Sequence, residues 1–460
     1  MKLFNTFDRK IDEFTPLIDT QVGMYTCGPT VYREIHIGNL RTYITTDLLK
    51  RVLLAKDYSV RSVMNITDVG HFRYSQEKGR AIDPVMEEAK EFGITPLDIA
   101  KKYTDIFLKD SQKVGIIPSD DYPKASENIK EMIEVIEALI AKGFAYKTDG
   151  NVYFNVKKFK HYGKLSGNTL DKMDELLEAV RVSVETDKKD SADFALWKKA
   201  EEDRVMRWDS PWGEGVPGWH IECSVMAMKY LGTTIDVHAG GEDLIFPHHE
   251  DEIAQSEALS GKKFANFWIH TNFLLVEGEK MSRSKRNVYT VFDIEKKKFS
   301  ALAFRYLTLL THYRTKMNFT WKGLEAAQEA LDKIYVLASS FTESKIGCSE
   351  YEAKFMDAVE NDLNMPKAVA VMWEMLRSDF PLSAKAKSLF KMDEILGLNI
   401  KVKAEELNNI PDSINRMIAQ RDELRLHKRF NAADKIRADL EKMGYIVEDE
   451  KKKTKILRKI

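Results

Sequence analysis

The sequence predicts an α/β protein: a parallel sheet built in two halves around an inserted segment, then a helical bundle and a small C-terminal domain. Three observations carry this. A strand–loop–helix–strand pattern spans residues 22–67. The segment 151–197 is charged and irregular between two regions of strand signal. From about Phe292 to about Gly397 nearly every stretch reads as helix.

Residues 22–27 read as a short strand, and Gly28-Pro29-Thr30 breaks it. A helix is expected from about Asn39, because Leu40, Ile44, Leu48 and Val52 recur every four residues and would line one buried face. Residues 60–67 read as a second strand. Strand, crossover helix and strand form a βαβ unit, from which parallel sheets are built. Residues 94–142 read as helical, with Ile129, Ile133, Ile136 and Ile140 on one side. Segment 151–197 is expected to be an insertion rather than core. Strand signals resume at 234–238 and 268–276, and a final helical pair is expected within 411–460.

Composition limits the function classes. The chain has 460 residues, 43% hydrophobic and 31% charged, which excludes a mostly disordered chain or a collagen-like repeat. Cys27, Cys223 and Cys348 are too few and too scattered for a secreted disulfide framework, so a reducing cytoplasmic setting is expected. The first ten residues lack the apolar run of a signal peptide, and no run of about 18 apolar residues would cross a membrane. The formal net charge is −1, yet residues 416–460 hold 14 Lys/Arg against 8 Asp/Glu. A basic end on an acidic body points to a polyanionic partner, or simply to a solvated face.

Two short motifs carry phosphate chemistry. His36-Ile37-Gly38-Asn39 sits between the first strand and the first long helix, where open α/β sheets bind nucleotides. Gly38 admits a ligand close to the backbone, and His36 can donate to phosphate oxygens. Lys280-Met281-Ser282-Arg283-Ser284 follows a strand signal and the flexible Glu277-Gly278-Glu279. A lysine on a mobile loop can close on phosphates as their charge redistributes.

Four residues with metal-ligand chemistry fall beside the same loops: Cys27, Cys223, His248 and Glu252. His248 and Glu252 are spaced i, i+4 after Pro247, which puts them on one face of a starting helix. Two thiolates, an imidazole and a carboxylate suit tetrahedral zinc. Two buried cysteines beside an ordinary helix start would read the same way.

Together the two phosphate motifs resemble the HIGH and KMSKS signatures of class I aminoacyl-tRNA synthetases. Asn39 stands where a second His is common, and Arg283 where a second Lys is common. The runs TCGPTVY, HIGN, NITDVG, PGWHIECS, HAGGEDLIFPHHEDE and KMSRS occur in the order and spacing of cysteinyl-tRNA synthetases. The likeness runs from Phe4 to the C-terminus, including residues 362–366.

The resemblance implies a Rossmann-like catalytic domain in two halves, 1–115 and 201–290, with a connective insertion at 116–200. A stem-contact region at 291–345, a helical bundle at 346–405 and an anticodon-binding domain at 406–460 would follow. It implies one zinc per subunit held by Cys27, Cys223, His248 and Glu252, and ATP used with Mg²⁺. His36, Gly38, Asn39, Gly241, Asp243, Lys280 and Arg283 match ATP-side positions, with His36, Asn39, Lys280 and Arg283 the catalytic ones. Thr67, Trp219 and His238 match positions around the bound amino acid. Arg425, Phe430, Asp434 and Asp449 match the anticodon-recognising end. His71 is given no catalytic role.

The implied activity is ligation of cysteine to tRNA(Cys) through cysteinyl-adenylate, by a monomer with no membrane partner. Three alternatives stand beside it. A cysteine:amino-sugar ligase shares the core but lacks the anticodon end. A catalytically inactive synthetase-like tRNA-binding protein would leave the four metal ligands unexplained. A zinc hydrolase would have no use for the phosphate loops.

Overall fold

The computed structural model describes residues 1–69, 73–75, 80–167, 187–201, 204–282, 285–341, 346–449 and 454–458. They fall in two compact units. The first comprises Met1–Ala301, Thr311–Phe319 and Ala358–Asn364, and the second Leu302–Leu310, Thr320–Asp357 and Met365–Ile460.

The first unit is organised by strand β1 (Gln21–Thr26), helix α1 (Ile37–Ala55), strand β2 (Ser59–Met64), helix α2 (Trp219–Leu231), strand β3 (Ile235–Gly241), helix α3 (Glu250–Ser260) and strand β4 (Ala265–Thr271). The sheet order is β4-β3-β1-β2, and every neighbouring pair is parallel. The sheet grows one way from β1 to β2, then the other way from β3 to β4. The direction changes between β1 and β3, where open α/β sheets leave a crevice at the carboxyl ends of their strands.

Helix α1 buries Leu40, Ile44, Leu48 and Val52, as their spacing predicts. It also buries Arg41, Asp47 and Lys50, so it is covered on more than one side. These polar groups are paired. Lys50 Nζ donates to Ser62 Oγ (2.8 Å) and to the Pro118 carbonyl (2.9 Å). Asp47 accepts from Arg51 Nε and from the Ile117 N–H, both at 2.8 Å. Unpaired, such buried groups would each be costly.

Three expectations are corrected. Within 151–197, the described strands are not outside the core. Val152–Phe154 and Phe194–Lys199 join Ala145–Lys147 and Gly215–Pro217 in a four-stranded antiparallel sheet. Val152, Phe154 and Trp197 are fully buried in one cluster with Cys27 and Cys223. Val152–Phe154 is too short to show a period, and Phe194–Lys199 is buried without regular alternation.

The strand signal at 268–276 is two strands. β4 ends at Thr271, and Leu274–Val276 pairs instead with Met317–Phe319 and Glu279–Lys280 in a separate sheet. Asn272 makes the break: its side-chain oxygen accepts from the Phe273 N–H at 2.7 Å, and its own N–H donates to the Tyr313 carbonyl.

The helical region 94–142 is likewise interrupted. Pro96–Lys113 and Ile129–Ala141 are separate helices, joined through a stretch containing Pro118 and Pro123.

The second unit is mostly helical, including Trp321–Ser339, Met365–Arg377, Leu382–Leu396 and Ile400–Asn408. The expected final pair is present as Asp412–Leu426 and Phe430–Lys442. An antiparallel hairpin, Tyr445–Asp449 with Thr454–Arg458, follows it where only a basic tail was expected. Ile414, Leu440, Tyr445 and Val447 form a small core beneath it. Among the described residues no helix is long and apolar enough to cross a membrane.

Candidate functional site

Cys27 stands just beyond the end of β1, where its N–H donates to the Ala239 carbonyl of β3 at 3.1 Å. The chain then passes so close to β2's continuation that a Cβ on Gly28 would lie 1.8 Å from the Asn65 carbonyl oxygen. Only glycine fits there, and it lets the loop carrying Pro29 and Thr30 close over the sheet. Cys223 lies one turn along α2 from Trp219, on the same face. His248 and His249 precede α3, and Glu252 lies in its first turn.

These elements bring four donors together. Cys27, Cys223, His248 and Glu252 offer ligand atoms within 4.8 Å of one another, all buried. The Cys27 and Cys223 sulfurs are 3.8 Å apart, and both are free thiols. His248 Nε2 is 3.2 Å from Glu252 Oε1, and Cys27 Sγ is 3.4 Å from the same oxygen. Burial pushes the Cys27 thiol well above its ordinary pKa and raises that of Cys223. Two thiols facing a carboxylate in a dry site resist ionisation unless a cation offsets the charge. The donor set therefore fits a thiophilic divalent ion such as zinc.

The sequence reading missed the second rank of imidazoles. His249 Nε2 lies 3.3 Å from Cys27 Sγ, so Cys27, His238, His249 and Glu252 form an alternative donor group. His249 Nδ1 is 2.7 Å from His270 Nε2. His220 Nδ1 is 2.8 Å from His248 Nδ1, and its Nε2 is 3.2 Å from Asp251. The doubled His248-His249 and His220, which sits between Trp219 and Cys223 in the same run, were the available signals; His270 lies outside every motif.

Trp219 is partly exposed, and its ring centroid lies 4.3 Å from that of His248. It lines a cavity of about 300 Å³ together with Cys27, Gly38, Asn39, Gly241, Asp243 and Lys280. Thr67 and His238 are wholly buried behind this wall. Thr67 Oγ1 donates to Glu222 Oε2 at 2.9 Å and accepts from Asn65 Nδ2 at 3.1 Å. His238 Nε2 is 2.9 Å from Glu252 Oε2, and its ring stacks on Trp268 at 4.4 Å. His238 thus orients the carboxylate of one of the four candidate ligands.

The phosphate motifs face each other across the cavity. His36 caps α1, and burial lowers its pKa. A Cβ on Gly38 would meet the Met281 methyl at 2.5 Å, so the second loop leans on the first. Lys280 is exposed, with its ammonium 5.2 Å from the centre of the Phe273 ring. Asn287 braces this loop: its side chain accepts from the Ser282 N–H at 2.8 Å and donates to the Lys280 carbonyl at 3.3 Å. Gly241 ends β3, and Asp243 lies in the turn Glu242–Leu244 directly after it. Arg283 and His71 lie outside the described residues.

In the second unit, Phe430 opens the last helix with about half its surface exposed, and Asp434 is exposed one turn on. Asp449 is differently employed. Its two oxygens accept from Arg421 Nη2 at 2.7 and 2.8 Å, and Arg425 Nη1 lies 3.4 Å away.

Residues 13–329 match the family model for the tRNA synthetases class I (C) catalytic domain. Solved structures agree at the level of fold. A methionyl-tRNA synthetase from Mycobacterium tuberculosis with methionyl-adenylate aligns with a TM-score of 0.55 at 12% identity, covering 84% of this chain and 91% of that one. An Agrobacterium radiobacter LeuRS–tRNA–LeuAMS complex aligns with a TM-score of 0.58 at 12% identity, covering 86% and 85%. The fold and the paired phosphate loops are those of a class I aminoacyl-tRNA synthetase.

Residues 407–456 match the model of the cysteinyl-tRNA ligase anticodon binding domain. The cysteine–tRNA ligase of Caldicellulosiruptor saccharolyticus is 42% identical, with both chains covered completely, and that of Thermus thermophilus 41%, covering 98% of this chain and 97% of the other. The chain belongs to the cysteine–tRNA ligase family.

Proposed function

We propose that this chain activates cysteine with ATP to cysteinyl-adenylate and transfers it to the 3′-end of tRNA(Cys), using the residues assembled at the β1–β3 crevice. The observation that carries the reading is the convergence of Cys27, Cys223, His248 and Glu252 beside a cavity that the two phosphate loops also line.

Zinc held by those four residues supplies affinity for a thiolate over an alcohol, which separates cysteine from serine where apolar packing discriminates poorly. Trp219 closes the amino-acid side of the cavity. Thr67 and His238 act through Glu222 and Glu252, holding the wall rather than touching ligand. No side chain is needed as a covalent nucleophile: the cysteine carboxylate attacks the α-phosphate of ATP, which arrives with Mg²⁺, and pyrophosphate leaves. The protein supplies position and charge. His36 donates from Nε2 to phosphate oxygens, while Asn39 offers its Nδ2 donors from the same turn. Lys280 and Arg283 stabilise the charge developing on the leaving group. Gly241 and Asp243 take the adenosine side.

In the tRNA-binding end, Phe430 stacks on an unpaired base, and Arg425 and Asp434 contact the anticodon around it. Asp449 serves this surface by holding Arg421 and Arg425. The match at residues 407–456 disfavours the amino-sugar ligase, which has no use for such a segment. We place the enzyme in the cytoplasm as a monomer.

The test is cysteine-dependent ATP–pyrophosphate exchange, followed by charging of tRNA(Cys). Exchange without charging would favour the amino-sugar reading. Absence of both would favour an inactive binding protein.

A further inference from the structure

Arg41 lies two residues beyond Asn39 on α1 and is 2% exposed. Its guanidinium reaches four backbone carbonyls. Nη1 donates to Asn272 (2.8 Å) and Phe273 (2.9 Å), and Nη2 to His312 (3.1 Å) and Thr315 (2.6 Å). None of these four partners is a carboxylate. Burying a cation against neutral carbonyls is a poor route to stability, since its desolvation is not offset by an opposite charge.

The placement of those carbonyls gives the arrangement another use. Asn272 and Phe273 line the cavity opposite His36 and Asn39. The Phe273 ring lies under the Lys280 ammonium, and Leu274–Val276 leads directly to the strand that carries Lys280. The turn on the other prong is itself fixed. Asp362 accepts from Tyr313 Oη at 2.6 Å, from Arg314 Nε at 2.7 Å and from the Phe4 N–H at 2.8 Å. The Asn272 side chain also donates to the Arg314 carbonyl at 3.0 Å. Arg41 therefore joins the helix of the first phosphate motif to the base of the second, against a turn that Asp362 and Asn272 hold by separate bonds.

We propose that Arg41 is a positioning residue for adenylate formation, setting the separation of His36 and Asn39 from Lys280 across the ATP cavity. The inference rests on the ligase reading of the site. A lysine cannot take its place, because one ammonium cannot span two pairs of carbonyls as a planar fork does.

The experiment is ATP–pyrophosphate exchange on the full-length, metal-loaded protein. Native enzyme is compared with Arg41→Lys and Asp362→Asn, with thermal unfolding measured for each. Native exchange must first be seen; its absence sinks the ligase reading itself. Misplacing reacting groups by about 1 Å can cost about 100-fold, so Arg41→Lys should lose at least about tenfold in kcat. Its KM for cysteine should stay within about twofold, because none of the four Arg41 bonds goes to Cys27, Trp219, Cys223 or His248. Asp362→Asn loosens the far turn, and its Phe4 contact with it, without touching Arg41, and should show the same split at smaller size. A folded Arg41→Lys protein with native kcat would overturn the inference. So would parallel changes in kcat and cysteine KM. Should Arg41→Lys not fold, Asp362→Asn decides alone: native kcat there refutes the tie.

Discussion

His36 and Asn39 cap each other at the start of α1. The His36 Nδ1 accepts from the Asn39 N–H at 3.2 Å, and the Asn39 side-chain oxygen accepts from the His36 N–H at 3.3 Å. This reciprocal cap satisfies two backbone donors that the first turn would otherwise leave open. It also explains how Asn serves where a second His is common, since the amide has an acceptor for the cap and donors left for phosphate. Asn39→Ala should then lose about 1 kcal/mol of stability, the usual scale for a cap, as well as exchange activity. Asn39→Asp restores the acceptor but not the donors. We expect it to recover thermal stability while exchange stays low. Recovery of both by Asp would show that the cap is all Asn39 contributes.

The same bond fixes a pH response. With Nδ1 accepting, the neutral His36 ring carries its proton on Nε2, an assignment that follows from the hydrogen bonding. Burial lowers its pKa from the ordinary 6.5. The unfolded chain therefore binds a proton that the folded one resists, and stability rises with pH across that window. Folded-state stability from this group is complete above about pH 6.5 and is lost as pH falls toward the lowered value. Protonation also removes the Nδ1 lone pair and with it the cap. Exchange by the native enzyme should be flat in this group's titration between about pH 7 and 8 and should fall only as pH approaches the lowered value, beneath the ordinary 6.5. A His36→Asn variant should lack the acid limb attributed to that ring. An identical limb in the variant would assign the titration elsewhere.

Much of the catalytic half was legible because chemistry leaves rare residues in fixed order. Cys27, Cys223 and the His248–Glu252 pair are far apart in sequence yet bring ligand atoms within 4.8 Å of one another, with Cys27 lining the cavity, and a βαβ pattern was enough to place Cys27 at a strand end. What escaped was decided by contacts that no local period records. Asn272 ends β4 by bonding its neighbour's N–H and a residue some forty positions on. Val152 and Phe154 enter the core on a strand of three residues, too short to show alternation, and Trp197 on one whose burial does not alternate regularly. Arg421 reads as one more exposed charge in a helix of mixed charge, yet its side chain is fully buried.

That buried arginine yields a prediction for the C-terminal end. Asp449 on the hairpin holds Arg421 through both oxygens, and its carboxyl is kept below the ordinary value chiefly by that hydrogen bond. Breaking a buried pair from one side costs about 3–5 kcal/mol. Asp449 is about a third exposed, so Asp449→Asn should cost less, about 2 kcal/mol. The sign with pH is that of a depressed carboxyl: the stabilisation is present above about pH 4 and lost as pH falls further. The gap between native and variant should be constant from about pH 5 to 8 and close in acid. Phe430→Ala should behave oppositely, leaving unfolding unchanged and weakening tRNA binding by about 1–3 kcal/mol if a base stacks there. A Phe430→Ala protein that binds tRNA normally would remove that residue from the interface.

The metal site offers the sharpest separation of structure from selectivity. Cys27 and Cys223 are free, buried and raised in pKa, with His248 and Glu252 completing four donors. Cys223→Ser replaces a soft sulfur by an oxygen that stays protonated near neutral pH, so metal content after gel filtration should fall and the KM for cysteine should rise. That result alone would suit a purely structural ion as well. Cobalt in place of the native metal distinguishes the two, because thiolate–cobalt charge transfer absorbs where the bare protein does not. Adding cysteine should intensify those bands, and adding serine should leave them unchanged, since an alcohol is a poor ligand until it ionises. The measurement needs no turnover, so it is independent of Lys280, Arg283 and the tRNA. An unchanged spectrum at saturating cysteine would mean that the thiol never reaches the metal. Discrimination against serine would then have to come from the wall formed by Trp219 and its neighbours, where Trp219→Phe should alter the cysteine-to-serine ratio of exchange rates.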